Sequence, residues 1–490
     1  MSMRCLLAGA VALGLVFSGT APAQSQGGAE PPGQARFLDV IVALDPSFAP
    51  GGHAANRVAA RQVARGLGVA AQFSYGTAIF GFAARIPEGR FRAFENDPRV
   101  LYVNLDTPVA IPVPRTTAPN WCTPDSTHPA CDSDGSDGSD DTAEMVPWGV
   151  ERIGASQHAG TGKGVHVYVI DTGIDADHPD LVANLGNGYA ATTCKGGRCR
   201  TTWDDDHSHG THVAGTIGAI DNEIAVIGVA PEVTLHSVKV LGKNGSGTRS
   251  AVIAGIDWVA QQVAARGQPA VANMSLGGSG SKSGTCGPGG FTGNDAYHEA
   301  ICNAAHVGVV FAIAAGNEGA DAEFAVPAAY DDAAITVTAT SEEDDWPSWP
   351  NWGDGDPTGP GPAPIGLAAP GVAVLSTGND GGTTIKSGTS MAAPHVSGAI
   401  ALYLESYTGS ASYTAFISAR GALLAAAEPT AGGSTFANSS GHPHAEDFVD
   451  VTGPQSAGAG AFGVSASPES VRRVATPSAS VVGAVRPAVR

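Results

Sequence analysis

Three observations predict an α/β fold for most of this chain, built as a doubly wound, mostly parallel sheet flanked by helices. Near-continuous apolar runs recur at residues 165–170, 234–240, 270–276, 309–314 and 335–339, the composition of strands buried on both faces. Stretches with helical spacing lie between them, notably residues 211–219, 250–266 and 295–306. Strands alternating with helices build parallel sheets, and such sheets place their sites where the strands end. A smaller α+β unit comes first. A strand at 37–44, a helix at 54–67, strands at 71–75 and 78–86, a short helix at 90–95 and a strand at 100–103 give the β-α-β-β-α-β order of a ferredoxin-like module.

In chain order, residues 1–23 read as a secretory signal peptide. Arg4 supplies the basic start, residues 6–17 an apolar run too short to span a bilayer, and Ala21-Pro22-Ala23 a small-residue cleavage site. A Gly/Pro/Gln-rich linker at 24–36 leads into the module at 37–111. An acidic Ser/Gly/Asp linker at 112–143 follows, without the spacing of an EF-hand loop. The α/β domain is expected over 144–454, and an Ala/Ser/Val/Pro tail without periodicity over 455–490. The 490 residues hold 46 Asp+Glu against 26 Lys+Arg, a formal charge of −20. Such a surface repels nucleic acid and anionic membrane, so neither is an expected partner, and a secreted monomer is expected instead. Of seven cysteines, Cys5 lies in the leader. The others fall as neighbours, Cys122 with Cys131, Cys194 with Cys199 and Cys286 with Cys302, which suits disulfides in an exported chain and leaves the connectivity open.

The chemistry gathers at turns. In Gly388-Thr389-Ser390-Met391-Ala392-Ala393-Pro394 a small-residue turn presents one serine ahead of the apolar run 396–404. That places Ser390 at or near a helix start, with Pro394 in the first turn, where proline is tolerated. By itself such a serine is an ordinary N-cap. Asp171 follows the apolar run 165–170 in Asp171-Thr172-Gly173, where a turn aspartate is the plain alternative. His209 opens a helix in Ser208-His209-Gly210-Thr211-His212 and can take a proton from a serine if a carboxylate fixes its tautomer. Asn317, after the run 309–314, can donate to a developing oxyanion together with the Ser390 N–H.

Asp171-Thr-Gly, His209-Gly-Thr-His and Gly388-Thr-Ser390-Met-Ala-Ala-Pro, in this order, resemble the subtilisin-like serine peptidases over roughly residues 146–405. The resemblance implies a secreted serine endopeptidase with Ser390 as nucleophile, His209 as general base and acid, Asp171 as the orienting carboxylate and Asn317 as oxyanion donor. It implies polypeptide substrates held as an added strand between Gly245-Ser246-Gly247 and Ser275-Leu276-Gly277, with Gly278 and Ala320 shaping a broad, mostly apolar pocket. The 37–111 module resembles the family's inhibitory propeptide, and that resemblance implies a self-processed zymogen. Residues 214–231 resemble the family's calcium loop, which implies as ligands the carbonyls of Ile220, Ile224 and Val226, the Asn222 side chain and the Asp180 carboxylate. Glu144 stands where the family has a glutamine ligand. The chain departs from the family in residues 342–364, which are longer and richer in Trp and Pro.

Other readings are weighed on the same residues. His207, His209 and His212 lack a fourth ligand at zinc spacing. A serine esterase of the α/β-hydrolase type needs an acid and a histidine after Ser390, and His442 and His444 lie in a polar stretch that suits no core. A catalytically dead calcium-binding or adhesive protein on the same fold is opposed by the complete Asp, His and Ser set.

Overall fold

The computed structural model describes residues 36–112, 144–197, 199–353, 364–430 and 436–452. The leader, the 113–143 linker with Cys122 and Cys131, and the tail lie outside the described residues.

The first module contains β1 (Phe37–Leu44), α1 (His53–Gly66), β2 (Phe73–Tyr75), β3 (Gly81–Pro87), α2 (Phe91–Glu95) and β4 (Val100–Leu105). Its antiparallel sheet runs in the order β2-β3-β1-β4. Period-two alternation sorts the side chains of β1 between two cores. Val40, Val42 and Leu44 pack with Ala60 and Ala64 of α1 and Phe94 of α2. Ile41 and Ala43 point the other way and join Tyr75 and Tyr102 in a core shared with the main domain. The module therefore lies with one sheet face on its own helices and the other on its neighbour. A separate strand, β5 (Pro108–Ala110), leaves it.

The main domain opens with α3 (Trp148–Arg152), β6 (His166–Asp171), β7 (Tyr189–Ala190), α4 (His209–Gly218), β8 (Thr234–Lys239), β9 (Ser246–Thr248), α5 (Arg249–Arg266) and β10 (Ala270–Met274). Short strands β11 (Gly278–Ser279), β12 (Thr285–Gly287) and β13 (Gly290–Thr292) come next, then α6 (Ala296–His306), β14 (Val309–Ala314), β15 (Ala325–Val326), β16 (Ile335–Thr340) and β17 (Ile365–Pro370). The hairpin of β18 (Val374–Thr377) and β19 (Thr383–Lys386) precedes α7 (Thr389–Glu405) and α8 (Tyr413–Ala426). Seven strands form one sheet, β17-β16-β14-β10-β6-β8-β7, and every pairing in it is parallel.

Both faces of this sheet are covered, as the apolar runs require. In β6, Val167 and Val169 face the core of α4, α7 and α8, while Tyr168 and Ile170 face that of α5 and α6. From β6 the chain moves to β8 on one side and then crosses to β10 on the other, so the order reverses beside β6. A crevice opens at such a reversal, at the carboxyl ends of the strands. Cys194–Cys199 and Cys286–Cys302 form disulfides. No helix among the described residues is long and apolar enough to cross a membrane.

The module is held down by polar caps as well as by apolar burial. Asp257 of α5 accepts the N–H groups of Gly76, Thr77 and Ala78 on one carboxylate oxygen, at 3.0, 2.7 and 2.8 Å. Burial raises its carboxyl above the usual range, against those three donors. In return, Asp106 accepts the Ser250 N–H at 2.9 Å and caps the first turn of α5, where a negative charge is favoured. We expect Asp257→Ala to leave three donors unpaired, two of them buried, weakening this contact by about 1–3 kcal/mol. Amide hydrogen exchange would read it as faster exchange at Gly76–Ala78 with β10 and β14 unchanged. Unaltered exchange at those amides would show that the cap holds nothing.

Candidate active site

Asp171 is the last residue of β6 and is fully buried, one position inside the strand that the sequence pattern ended before it. Its oxygens meet His209 Nδ1 at 2.9 and 3.0 Å. The carboxylate accepts from Nδ1, so the proton sits there and Nε2 is left as an acceptor. Close approach of α4 to the β6 turn requires Gly210, since a Cβ there would lie 2.1 Å from the Gly173 carbonyl oxygen. His209 Nε2 is buried and makes no hydrogen bond among the described residues. Beside it, burial and the His209 ring keep the His207 imidazole below its usual pKa.

Ser390 is the second residue of α7, so its N–H has no partner within the helix. Ser390 stands near the helix start as expected, but Pro394 sits in the second turn rather than the first. Proline there cannot donate to the Ser390 carbonyl. Ser275 Oγ replaces that donor at 2.8 Å, which explains how the helix tolerates the ring. Behind Ser275 stand Asn273, donating to it at 2.9 Å, and Ser397, donating to Asn273 at 2.9 Å. Ser390 Oγ turns to the Ser275 carbonyl at 3.4 Å, and the Ser390–His209 hydrogen bond is not made. Such bonds commonly tighten only when substrate binds.

Asn317 follows β14 and is fully buried. Its Oδ1 accepts both the N–H and the hydroxyl of Thr389, at 3.0 and 2.9 Å. That fixes the amide so that Nδ2 faces the crevice, where it donates to the Pro112 carbonyl at 2.8 Å. Pro112 belongs to a segment that lies in the crevice as an added strand. β5 pairs antiparallel with β9, Val109 opposite Gly247 and Ala110 opposite Ser246. Ile111 donates to the Gly245 carbonyl at 3.0 Å, and Ala110 exchanges two 2.9 Å bonds with Gly277. Leu276 is buried behind this edge, and Gly278 pairs with Val326 in β15. A cavity of about 410 Å³ opens beside Pro112, lined by Gly278, Ala315, Glu318, Ala320, Phe324 and Ala328.

A model of the subtilase family matches residues 162–445, more than half of the chain. The chain belongs to the subtilase family. An extracellular serine proteinase of Thermus sp. is 38% identical over 68% of this chain and 68% of its own length. Proteinase T of Parengyodontium album is 38% identical over 54% of this chain and 82% of its own. A solved structure of a cold-adapted subtilisin-like serine proteinase is 34% identical, with a TM-score of 0.50, and covers 63% of this chain and 98% of that one. This subtilase is thus a serine endopeptidase of the subtilisin and proteinase K type.

The loop of the subtilase carrying Asn222 sits apart from the crevice. Asp180 is fully buried, and its Oδ1 has no hydrogen-bond partner among the described residues. Burial, with Glu144 adding to it, pushes the Asp180 carboxyl up to about 7. Its Oδ2 accepts the Val226 N–H at 3.2 Å, Glu144 Oε1 accepts the Asn222 N–H at 2.9 Å, and Asn222 Oδ1 accepts the Ile224 N–H at 3.1 Å. Met145 bridges to Val226, which ties the start of the domain to the loop. Ile220 donates its N–H to the Asp180 carbonyl at 3.1 Å. Glu223 and Ala225 hold positive φ without being glycine. An oxygen-only set around an unpaired buried carboxylate oxygen fits a hard cation.

The other histidines are occupied elsewhere. His212 Nε2 faces the carbonyls of Val374 and Thr384, so it does not converge with His207 and His209. The expectation that His442 and His444 suit no core is corrected for His444, while His442 stays half-buried. The His444 side chain is fully buried, stacked 5.3 Å from Trp346 with Nδ1 3.0 Å from Glu446, and His442 stacks on Trp352. Tryptophan faces from residues 342–353 supply the apolar surface that the local sequence lacks.

Sequence reasoning missed three polar residues that build the site. Thr389 orients Asn317. Lys239, fully buried, donates to the Thr172 and Leu241 carbonyls and to Asp206, which ties the β6 and β8 turns together. Asn351 belongs to the Trp/Pro-rich stretch and joins the Asn317 loop. The sequence signal for Thr389 was its place before the serine; for the other two there was none beyond polarity in an apolar setting. Thr389→Val should lower kcat on the order of tenfold with KM little changed, since it removes one oriented hydrogen bond to Asn317. Thr389→Ser should keep most activity. Equal losses in the two variants would mean that the hydroxyl does not orient the amide.

Proposed function

We propose that the chain is made as a secreted zymogen and hydrolyses peptide bonds through Ser390, His209 and Asp171, by way of an acyl-enzyme. Its reading rests above all on the Asn317–Pro112 hydrogen bond, because a peptide carbonyl held on an oxyanion donor is a carbonyl in place for attack. Ser390 Oγ turns about its Cα–Cβ bond toward His209 Nε2, gives up its proton there and attacks the carbonyl carbon. Asp171 keeps Nδ1–H in place and stabilises the imidazolium. The carbonyl oxygen takes the negative charge between Asn317 Nδ2 and the Ser390 N–H at the α7 start. His209 then returns the proton to the leaving amine, and water repeats the sequence on the acyl-enzyme. A strand bonded along both edges is how a peptide binds; an ester has no backbone for it. Apolar walls of Ala315, Ala320, Phe324 and Ala328 suit a broad, mostly apolar preference.

In this reading the first module is the propeptide, and residues 108–112 are the plug. The carbonyl on the donor belongs to Pro112, so self-cleavage falls on the peptide bond after Pro112, a position the sequence leaves open. A calcium ion is proposed for the Asp180 loop, held by Asp180, Glu144, Asn222 and the carbonyls of Ile220, Ile224 and Val226. Bound there, it would supply positive charge that offsets the buried Asp180 carboxylate and the half-buried Glu144 beside it, and would stiffen the N-terminal segment.

Ser390→Ala should lower turnover by about 10⁶, the loss known for this removal in subtilisin itself, and should leave the precursor uncut. Wild-type precursor should release a fragment whose last residue is Pro112, read by intact mass. A fragment ending elsewhere, or cleavage in Ser390→Ala, would overturn the assignment.

Calcium at about a hundred times its dissociation constant should stabilise the fold by about 2.7 kcal/mol through binding the native state. Thermal inactivation half-lives, measured with calcium and with chelator, should differ in wild type and coincide in Asp180→Ala. Four equal half-lives would dismiss the site.

A further inference from the structure

Asn351 lies in a Trp/Pro-rich segment, yet it reaches the loop that carries Asn317. The residue is 1% exposed. Its Oδ1 accepts the N–H groups of Glu318 and Ala320, both at 3.0 Å. Its Nδ2 donates to the Ala315 carbonyl at 3.0 Å and to Glu318 Oε2 at 2.8 Å. Two donors and two acceptor positions are all a carboxamide has, and all four are used on one short loop. Its backbone adds to this: the Asn351 N–H donates to the Gly316 carbonyl at 2.9 Å, and its own carbonyl accepts from buried Thr338 Oγ1 at 2.8 Å. Neighbours extend the seam, Gly319 donating to Trp349 O at 2.8 Å and Trp352 donating to Ala320 O at 3.1 Å.

The loop is shaped to receive this amide. Gly316 holds φ +108°, and a Cβ there would lie 2.4 Å from Asn351 Nδ2. The bonds from Asn351 reach Ala315 and Gly316 before Asn317, and Glu318 and Ala320 after it. The Asn317 main chain is therefore pinned on both sides by one side chain. Thr389 turns the Asn317 amide and accepts the Gly316 N–H at 3.1 Å, so it holds the loop before Asn317 but not after it.

We propose that Asn351 is a positioning residue for the oxyanion donor, acting through the Ala315–Ala320 loop on the place of Asn317 Nδ2. This rests on the reading of Asn317 given above. An oxyanion donor works only if held in register before the charge develops, and a displacement near 1 Å costs about a hundredfold in rate. A fully bonded, buried carboxamide is suited to hold it. Aspartate has the same shape but loses both donors, and it sets a second carboxylate against Glu318 and the Ala315 carbonyl.

The test is a double-mutant cycle on kcat, normalised to titrated active sites. Asn317→Ala should lower kcat by about 10²–10³, the size known for the same donor in subtilisin. Asn351→Asp should lower kcat by about 10–100-fold with KM within about twofold. In the Asn317→Ala background the same Asn351→Asp change should alter kcat by less than about twofold, because the group it places is gone. Adding Glu318→Gln to Asn351→Asp restores an N–H across the pair and should return part of kcat. Equal losses in both backgrounds would overturn the proposal, since a merely structural residue damages both alike. Full kcat in Asn351→Asp beside a damaged Asn317→Ala overturns this inference alone; an inert Asn317→Ala removes the oxyanion reading and this inference with it. If Asn351→Asp does not fold, Thr338→Val loosens only the bond to the Asn351 carbonyl and carries the same cycle, with an expected loss of roughly threefold to tenfold in the Asn317 background and none without it.

Discussion

A parallel sheet ends all of its strands on one side, and that constraint organises this molecule. The ends of β6, β10 and β14 deliver Asp171, the Ser275–Gly278 edge and Asn317 to a single crevice. Into the same crevice points the start of α7, a helix buried from Thr389 to Leu404. Burial of so long an apolar helix against β10, β14 and β16 fixes its axis, and with it the place of Ser390. The nucleophile is thus positioned by hydrophobic packing several turns away from it. Local polar contacts then set only the last fraction of an ångström.

Those polar contacts follow from the cost of burying unpaired groups. Several buried polar side chains near the crevice meet groups that the turns would otherwise leave unpaired. Ser275 serves the carbonyl that Pro394 orphans, Thr389 serves Asn317, Lys239 serves two turn carbonyls, and Asn351 serves four groups of one loop. Unsatisfied partners would open the loops to water, so the same bonds that permit burial also hold the site rigid. Rigidity of this kind is what a developing oxyanion requires, because donors already in place need no rearrangement as charge appears.

The module and the domain meet through two different kinds of contact. One is a broad apolar face in which Ile41, Ala43 and Tyr102 meet α5 and α6, capped by Asp257 and Asp106. The other is a single strand that pairs with β9 on one edge and Gly277 on the other. The first does not involve the residue at the donor. Register resides in the second, because antiparallel pairing on two edges allows no slip of one residue without turning every side chain over. This division explains how a small residue such as Pro112 can stand beside a cavity it does not fill.

The sequence by itself determined the strands buried on both faces, the helices between them and the three turns that carry Asp171, His209 and Ser390. These are legible because apolar period and turn chemistry are local, readable within a few residues of each other. The order of the strands, and the crevice their reversal opens, was inferred only as a class; which strands adjoin is decided by packing between segments far apart. One local placement also went astray: Pro394 stands in the second turn of α7, because Ser275, over a hundred residues away, supplies the donor that the ring lacks. Likewise His444 is buried because Trp346 covers it, and a polar stretch of sequence gives no hint of that face. Asn351 was invisible for the same reason, since its four partners lie more than thirty residues upstream. Tertiary structure alone decided such pairings, because a hydrogen bond between distant residues leaves no period in the sequence of either.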